Sequence, residues 1–254
     1  MSALIGVRGL TMAYGDFVLM RDLDFDIERG DVFVIMGGSG CGKSTLLRHL
    51  IGLKEPAAGS IHYGVVDFTN ADQTRRDEIL RNVGVLFQSG ALYSSLTLAE
   101  NVSLPIEEYL PELSRDEVRE VASLKLSLVG LAGFEDYYPS QISGGMKKRA
   151  GLARALALDP EVLCIDEPSA GLDPISSKLL DELILELSES LGTTIVIVTH
   201  ELASIFDIAT TSVFLDVESR TMTALGSPKE LRDHSPDPAV RAFLNRGDEG
   251  GHTA

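Results

Sequence analysis

Cysteine, long apolar runs and positive charge are all scarce in this 254-residue sequence. The two cysteines, Cys41 and Cys164, lie far apart and form no CxxC pair, which excludes a disulfide framework and a zinc knuckle. No stretch approaches the roughly 20 apolar residues that a membrane-spanning helix needs, and the richest windows, such as Thr194 to Val198, are only strand-length. Met1 to Gly9 lack a basic start followed by an apolar core, so no secretory signal is read and a reduced, cytosolic protein is expected. Lys plus Arg number 22 against 38 Asp plus Glu, a net charge of −16. A surface that negative repels a phosphate backbone and argues against generic nucleic-acid binding, while leaving room for a local phosphate site. His49, His62, His234 and His252 show no metal-ligand spacing, and no Asn or Thr is followed by Lys, so the guanine reader of a small GTPase is missing. There is no internal repeat and no low-complexity segment.

The hydrophobic pattern is that of an α/β protein. Leu23, Phe25 and Ile27 alternate with acids, as in a strand with one buried face. Val32 to Met36 is a continuous apolar run, expected of a strand covered on both faces. A glycine-rich turn follows, then a helical stripe of Leu46, Leu47, Leu50 and Ile51. Thr97 with Glu100, and Ser114 with Glu117, have capping-box spacing. A helix with Val118, Val121, Ala122 and Val129 is expected behind the second pair, ended by Gly130. Another runs from Ser143 to Asp159-Pro160 with Met146, Ala150, Ala153 and Ala157. Val162 to Ile165 reads as a buried strand. Asp173-Pro174 opens a helix striped by Leu179, Leu180, Leu183, Ile184 and Leu187, which Gly192 stops. Thr194 to Val198 is the next strand, Val213–Leu215 with Met222–Leu225 a closing hairpin, and Val240 to Leu244 a short helical piece before a frayed polar end.

Gly37-Gly38-Ser39-Gly40-Cys41-Gly42-Lys43-Ser44 fits G-x-x-x-x-G-K-[ST] at every fixed position, with Thr45 next in the helix. Glycines let successive N–H groups point at one anion, and the helix start adds its positive end. Lys43 reaches the β- and γ-phosphates as a point charge, and the Ser44 hydroxyl suits magnesium. Cys41 is either a small space-filling residue or a thiol activated by the helix start. Val162-Leu163-Cys164-Ile165-Asp166-Glu167 is an apolar strand ending in two acids, which strand alternation points in different directions. Asp166 is assigned to magnesium through water and Glu167 to the general base that activates the attacking water. Lys147-Lys148-Arg149 is expected to be a solvated helix face.

Ile142-Ser143-Gly144-Gly145-Met146 opens a helix with a second nest of N–H groups. Together with the phosphate loop and the acidic pair, this spacing resembles the ATPases of ABC transporters over about residues 4 to 226. The resemblance implies an α/β fold: a P-loop NTPase, RecA-like core, with an N-terminal antiparallel β subdomain, a helical subdomain inserted at about 91–158, and a Pro-containing tail at 227–254. It implies that Tyr14 stacks on adenine, that Gln88 in Phe87-Gln88-Ser89 contacts magnesium and water, that Asp173 in Ser169-Ala170-Gly171-Leu172-Asp173 belongs to the nucleotide site, and that His200 contacts the γ-phosphate. ATP and Mg²⁺ are the implied cofactors. A second copy of the chain is the implied partner, its Ser143, Gly144 and Gly145 closing over ATP held by the first. Taken alone, Tyr14, Gln88 and His200 each have an ordinary structural reading, and Asp173 has a strong one as a helix cap.

Where the family usually has Gln after the two glycines, this chain has Met146. That variant, the segment Phe87-Gln88-Ser89-Gly90-Ala91-Leu92 and the tail Pro236 to Leu244 resemble, more narrowly, the ATPase subunits of Mla and MCE-associated phospholipid transporters. The narrower resemblance implies a membrane permease, an MCE-domain lipid-binding protein and a STAS-domain protein as partners, and a place on the cytoplasmic face of the inner membrane. The alternatives are a transport ATPase for amino acids or lipoproteins, and a soluble ABC ATPase acting on DNA or ribosomes. Neither the coiled-coil insertions nor the second cassette of the soluble types is present, and the acidic surface counts against them.

Overall fold

The computed structural model describes residues 3–246. In chain order the elements begin with β1 (Ile5–Tyr14), β2 (Phe17–Ile27), β3 (Val32–Gly37), α1 (Lys43–Leu50), β4 (Ala58–Tyr63), β5 (Val66–Asp67), α2 (Gln73–Leu80) and β6 (Val83–Leu86). They continue with α3 (Leu98–Tyr109), α4 (Arg115–Leu128), α5 (Gly144–Ala155), β7 (Val162–Asp166), α6 (Pro174–Leu191), β8 (Thr194–Val198), α7 (Leu202–Ile208), β9 (Thr211–Asp216), β10 (Thr221–Gly226), α8 (Pro228–His234) and α9 (Pro238–Leu244). The chain divides into two compact units, one formed by the segments up to Ile79 and from Thr194 onward, the other by Leu80–Thr193.

The first unit contains an antiparallel sheet in the order β2-β1-β4-β5 and a second set of strands in the order β10-β9-β3-β8. In β2 the Leu23, Phe25 and Ile27 side chains are buried and the intervening acids exposed, as the alternation predicts. β1, with Ile5, Val7, Leu10 and Met12 buried, pairs with both β2 and β4 through irregular registers. β3 is buried along its whole length and lies parallel to β8 on one side and β9 on the other. Each fully buried Val or Ile there contributes about 1.5–3 kcal/mol of transfer free energy. Phe25 and Phe33 stack at 5.4 Å between ring centroids. The expected closing hairpin is β9–β10, and Phe243 of α9 packs edge-on against Phe214 of β9. The expected frayed end beyond residue 246 lies outside the described residues.

In the second unit β6 and β7 run parallel, in register from Val83 opposite Val162 to Leu86 opposite Ile165. Both expected capping boxes are formed, at Thr97 for α3 and at Ser114 for α4. Asn101, fully buried in α3, spends its amide on the preceding loop: Tyr93 N–H donates to Oδ1 at 2.7 Å, and Nδ2 donates to the Tyr93, Leu96 and Thr97 carbonyls at 3.1, 3.2 and 2.9 Å.

Two expectations about helices need correction. α5 stops at Ala155 rather than running to Asp159, because the chain tightens into turns, Ala157 N–H bonding Arg154 O and Asp159 N–H bonding Leu156 O. Asp159 then takes a left-handed backbone, φ 49°, held by an ion pair to the buried Lys125. In α6 the buried stripe is Leu180, Ile184 and Leu187, while Leu179 is 59 % exposed. Leu179 instead borders a cavity of about 410 Å³ that also touches Leu172, Leu183 and Met146. Among the described residues no helix is long and apolar enough to cross a membrane.

Candidate active site

The phosphate loop grows out of β3. Gly37, Gly40 and Gly42 have φ of 147°, 77° and 98°. At Gly37 only hydrogen fits: a Cβ would sit 2.4 Å from Leu215 O and 2.8 Å from Cys41 Sγ. Gly42 caps α1 through its backbone alone, with no side-chain cap hydrogen bond and no acid in the first turn to offset the positive end of the helix. Lys43 is buried and its ammonium curls back to donate to Gly37 O at 3.1 Å and Gly38 O at 3.0 Å. Cys41 is also buried, and burial pushes its thiol pKa up, so the space-filling alternative is the one its surroundings favour over a reactive thiol.

Tyr14 ends β1 beside the same helix start. Its hydroxyl and Thr45 Oγ1 share a hydrogen bond of 3.1 Å, which, ahead of nearby cations, lowers the phenol pKa. The Lys54 ammonium lies over one face of the ring, 2.9 Å from its centroid, and half of the residue stays exposed. β3 and β8 are parallel neighbours, so the chain leaving β8 emerges at the same edge as the phosphate loop. Fully buried Thr199 accepts the Glu201 N–H there at 3.1 Å, and His200 between them is exposed.

The second unit gathers the other half of the predicted set. Because β6 and β7 are parallel and in register, Gln88 and the Asp166–Glu167 pair leave the sheet at the same end. Asp166 is the last residue of β7. Glu167 does not continue the strand: its φ is 48°, a left-handed turn uncommon for a non-glycine residue, so the strand alternation stops at Asp166. Ser143 caps α5, its hydroxyl accepting the Met146 N–H at 3.3 Å, so one N–H of the expected nest is already engaged. Asp173 caps α6, accepting the Ile175 and Ser176 N–H groups at 3.1 and 3.0 Å and the Ser176 hydroxyl at 2.6 Å. The Ser176 hydrogen bonds hold its carboxyl below the usual range.

The expectation of a solvated Lys147-Lys148-Arg149 face is wrong at Lys148. That side chain is 7 % exposed, and its ammonium donates to the Gln88 carbonyl and, at 3.4 Å, to the Glu167 carbonyl. Burial lowers its pKa, while the Asp166 and Glu167 charges pull it back up. Arg149 donates to Val129 O and Gly130 O at the end of α4. Lys54 and Lys148 are the residues that sequence reasoning missed. The partners of Lys148 lie 60 and 19 residues away and leave no local signal.

Compared with known proteins, residues 20–170 match the family described as ABC transporter, more than half of the chain. The chain belongs to the ABC transporter family. It is 36% identical over 247 residues, 97% of this chain and 92% of the relative, to the intermembrane phospholipid transport system ATP-binding protein MlaF of Haemophilus influenzae. It is 41% identical over 246 residues, 96% of this chain and 70% of the relative, to mkl of Mycobacterium leprae, named a probable ribonucleotide transport ATP-binding protein. Among solved structures, the ATP-binding cassette MJ0796, a dimer in a post-hydrolysis state bound to ADP and phosphate, superposes with a TM-score of 0.79 at 29% identity. That match covers 88% of this chain and 98% of the cassette. The chain is thus the ATP-binding, ATP-hydrolysing part of a transporter, and its α/β architecture is that of the family's nucleotide-binding domain.

Proposed function

We propose that this chain powers the movement of phospholipid between bacterial envelope membranes, as a head-to-tail pair of copies seated on the cytoplasmic face of a membrane permease. The observation that carries the cargo is the 36% identity to MlaF across nearly the full length of both chains. The methionine that follows Ser143-Gly144-Gly145 supports the same reading. An MCE-domain lipid-binding protein and a STAS-domain protein complete the assembly in this proposal.

Each copy works as follows. The phosphate loop and Lys43 bind the β- and γ-phosphates, with the N–H groups of the α1 start as the anion cradle. Tyr14, pinned by Thr45 and covered on one face by Lys54, offers its other face to adenine. Ser44, Asp166 and Gln88 bring oxygen donors suited to magnesium, a hard cation. Magnesium held by these residues would neutralise charge on the phosphate oxygens. Glu167 takes the proton of the attacking water, and His200 hydrogen-bonds the γ-phosphate. Ser143, Gly144 and Gly145 of the second copy close over the nucleotide, with Asp173 at the same interface. ATP binds the closed pair better and so shifts its population; hydrolysis and product release reopen it.

Purification of the assembly in detergent tests the proposal. A permease with bound phospholipid is the expected outcome. Recovery with an amino-acid permease, or with nucleic acid, overturns it. A second reading, a ribonucleotide as cargo, is favoured by the name of the 41%-identical mycobacterial relative. It predicts ribonucleotide uptake by the reconstituted assembly with no lipid bound. Glu167→Gln is expected to abolish turnover and trap ATP in the closed pair; turnover near the parental rate removes the base assignment.

A further inference from the structure

One face of α5 is built to hold a single stretch of backbone. Lys148, Gly151 and Arg154 recur every three residues and so share that face. Lys148 donates to Gln88 O, and Arg154 donates to Gly90 O at 3.3 Å and Ala91 O at 2.7 Å. Between them Gly151 lets the chains touch: a Cβ there would lie 2.8 Å from Leu86 Cδ1 and 2.9 Å from Gly90 O. The Gln88–Ala91 backbone is therefore strapped along the helix by two cations and a glycine gap.

Lys148 also reaches the end of β7. The Glu167 carbonyl accepts from its ammonium at 3.4 Å and from Ala170 N–H at 3.3 Å. These bonds fall on a non-glycine residue in a left-handed backbone, a conformation that persists only where its surroundings over-determine it. A buried ammonium needs every acceptor it can find, and here the acceptors are the main-chain oxygens of two residues whose side chains belong to the hydrolysis site. The helix that supplies the ammonium is the one opened by Ser143.

We propose that Lys148 is a positioning residue for ATP hydrolysis: by binding the Gln88 and Glu167 carbonyls together it fixes where both side chains point and ties them to the signature helix. Lys148 touches neither nucleotide nor water in this proposal; it acts through Gln88 and Glu167, and it rests on the reading of Glu167 as the base.

Full-length Lys148→Met, Lys148→Arg and Glu167→Gln variants, assayed with Mg-ATP, test it. Met keeps the length of the side chain and removes the donor; Arg keeps a donor. Displacing groups from reacting geometry costs up to about 100-fold in rate. The expected result is therefore a 10- to 100-fold fall in kcat for Lys148→Met, with KM for ATP within about twofold and melting temperature close to the parent, and recovery of most of the rate in Lys148→Arg. A parental kcat in Lys148→Met overturns the proposal. So does a loss of kcat, ATP binding and melting temperature together that Arg fails to rescue, since that marks a packing role. Glu167→Gln in the same assay keeps the two readings apart. Parental turnover there removes the base, whereas an inactive Glu167→Gln beside a fully active Lys148→Met removes only the positioning role.

Discussion

Replacing the glycines of the phosphate loop by alanine, one at a time, should give a graded loss of stability that follows from local geometry rather than from nucleotide contacts. At Gly38 an added Cβ meets nothing within 4 Å and the backbone is not left-handed. Gly38→Ala should therefore change stability by no more than about 0.5 kcal/mol. At Gly40 the space is also open but φ is 77°, so the cost is conformational alone, about 1–2 kcal/mol. At Gly37 both penalties apply. Its φ is 147°, and the new Cβ would lie 2.4 Å from Leu215 O, the residue paired with it across the β3–β9 ladder. Backbone cannot yield as a side-chain tip can, so overpacking adds about 1–3 kcal/mol to the conformational cost, for a total of roughly 2–5 kcal/mol. At about 2–4 °C per kcal/mol for a chain of this size, thermal unfolding without nucleotide should show Gly38→Ala at the parental temperature, Gly40→Ala a few degrees lower and Gly37→Ala lower by roughly 4–20 °C. Gly37→Ala and Gly38→Ala variants melting together would refute the close approach of Gly37 to β9 and the account of the loop built on it.

Three further outcomes are expected. Lys43→Ala should weaken ATP binding by roughly 2–5 kcal/mol, read by titration with a fluorescent ATP analogue, and unchanged affinity and turnover would remove the phosphate-loop assignment. Asn101→Ala should lower stability to urea by about 2–4 kcal/mol, because it strands the Tyr93 N–H and the Leu96 carbonyl and removes one of two donors from the Tyr93 and Thr97 carbonyls; a loss under about 0.5 kcal/mol would contradict that network. Burial pushes the Cys164 thiol up to about 12, against 9.0 for a free thiol, so the folded chain keeps a proton that the unfolded chain loses above pH 9. Its contribution is intact below pH 9 and should fall by ~1.4 kcal/mol per pH unit as pH rises from there toward 12. Cys164→Ala should flatten that decline in urea unfolding curves, and an identical slope in both proteins would refute the assignment.

Much of the nucleotide half of the site could be read from the sequence because its signals are local. A continuous apolar run, four glycines and a striped helix sit within some twenty residues, and both capping boxes announce themselves at three-residue spacing. The elements that escaped reading carry weak periodicity. β1 is interrupted by Gly6, Gly9 and Thr11, and it shifts register as it pairs. α2 buries no residue at all and is fastened by the polar contacts of Arg76 to the Glu55 carboxylate and the Phe68 carbonyl, so no apolar stripe marks it. β6 is four residues long and only half buried. Lys148 is hidden in the sequence for a different reason: its neighbours are cationic, and only the folded chain supplies the carbonyls that make its burial tolerable. The turn at Glu167 was hidden because nothing in Ile165-Asp166-Glu167 distinguishes a strand that continues from one that breaks off.

The parallel pairing of β3 with β8 and β9 has a consequence for biosynthesis. Val32 finds its β8 partner only at Ile195 and Phe33 its β9 partner only at Thr211. At translation rates of 5–20 residues per second, the ribosome takes roughly 10–30 s to deliver those partners. Until then the apolar run Val32 to Met36 lacks its β8 and β9 neighbours, and Gly37 has no Leu215 to nestle against. Competence to hold a nucleotide is therefore acquired late in the life of the nascent polypeptide, and that interval is when a chaperone would have most to shield.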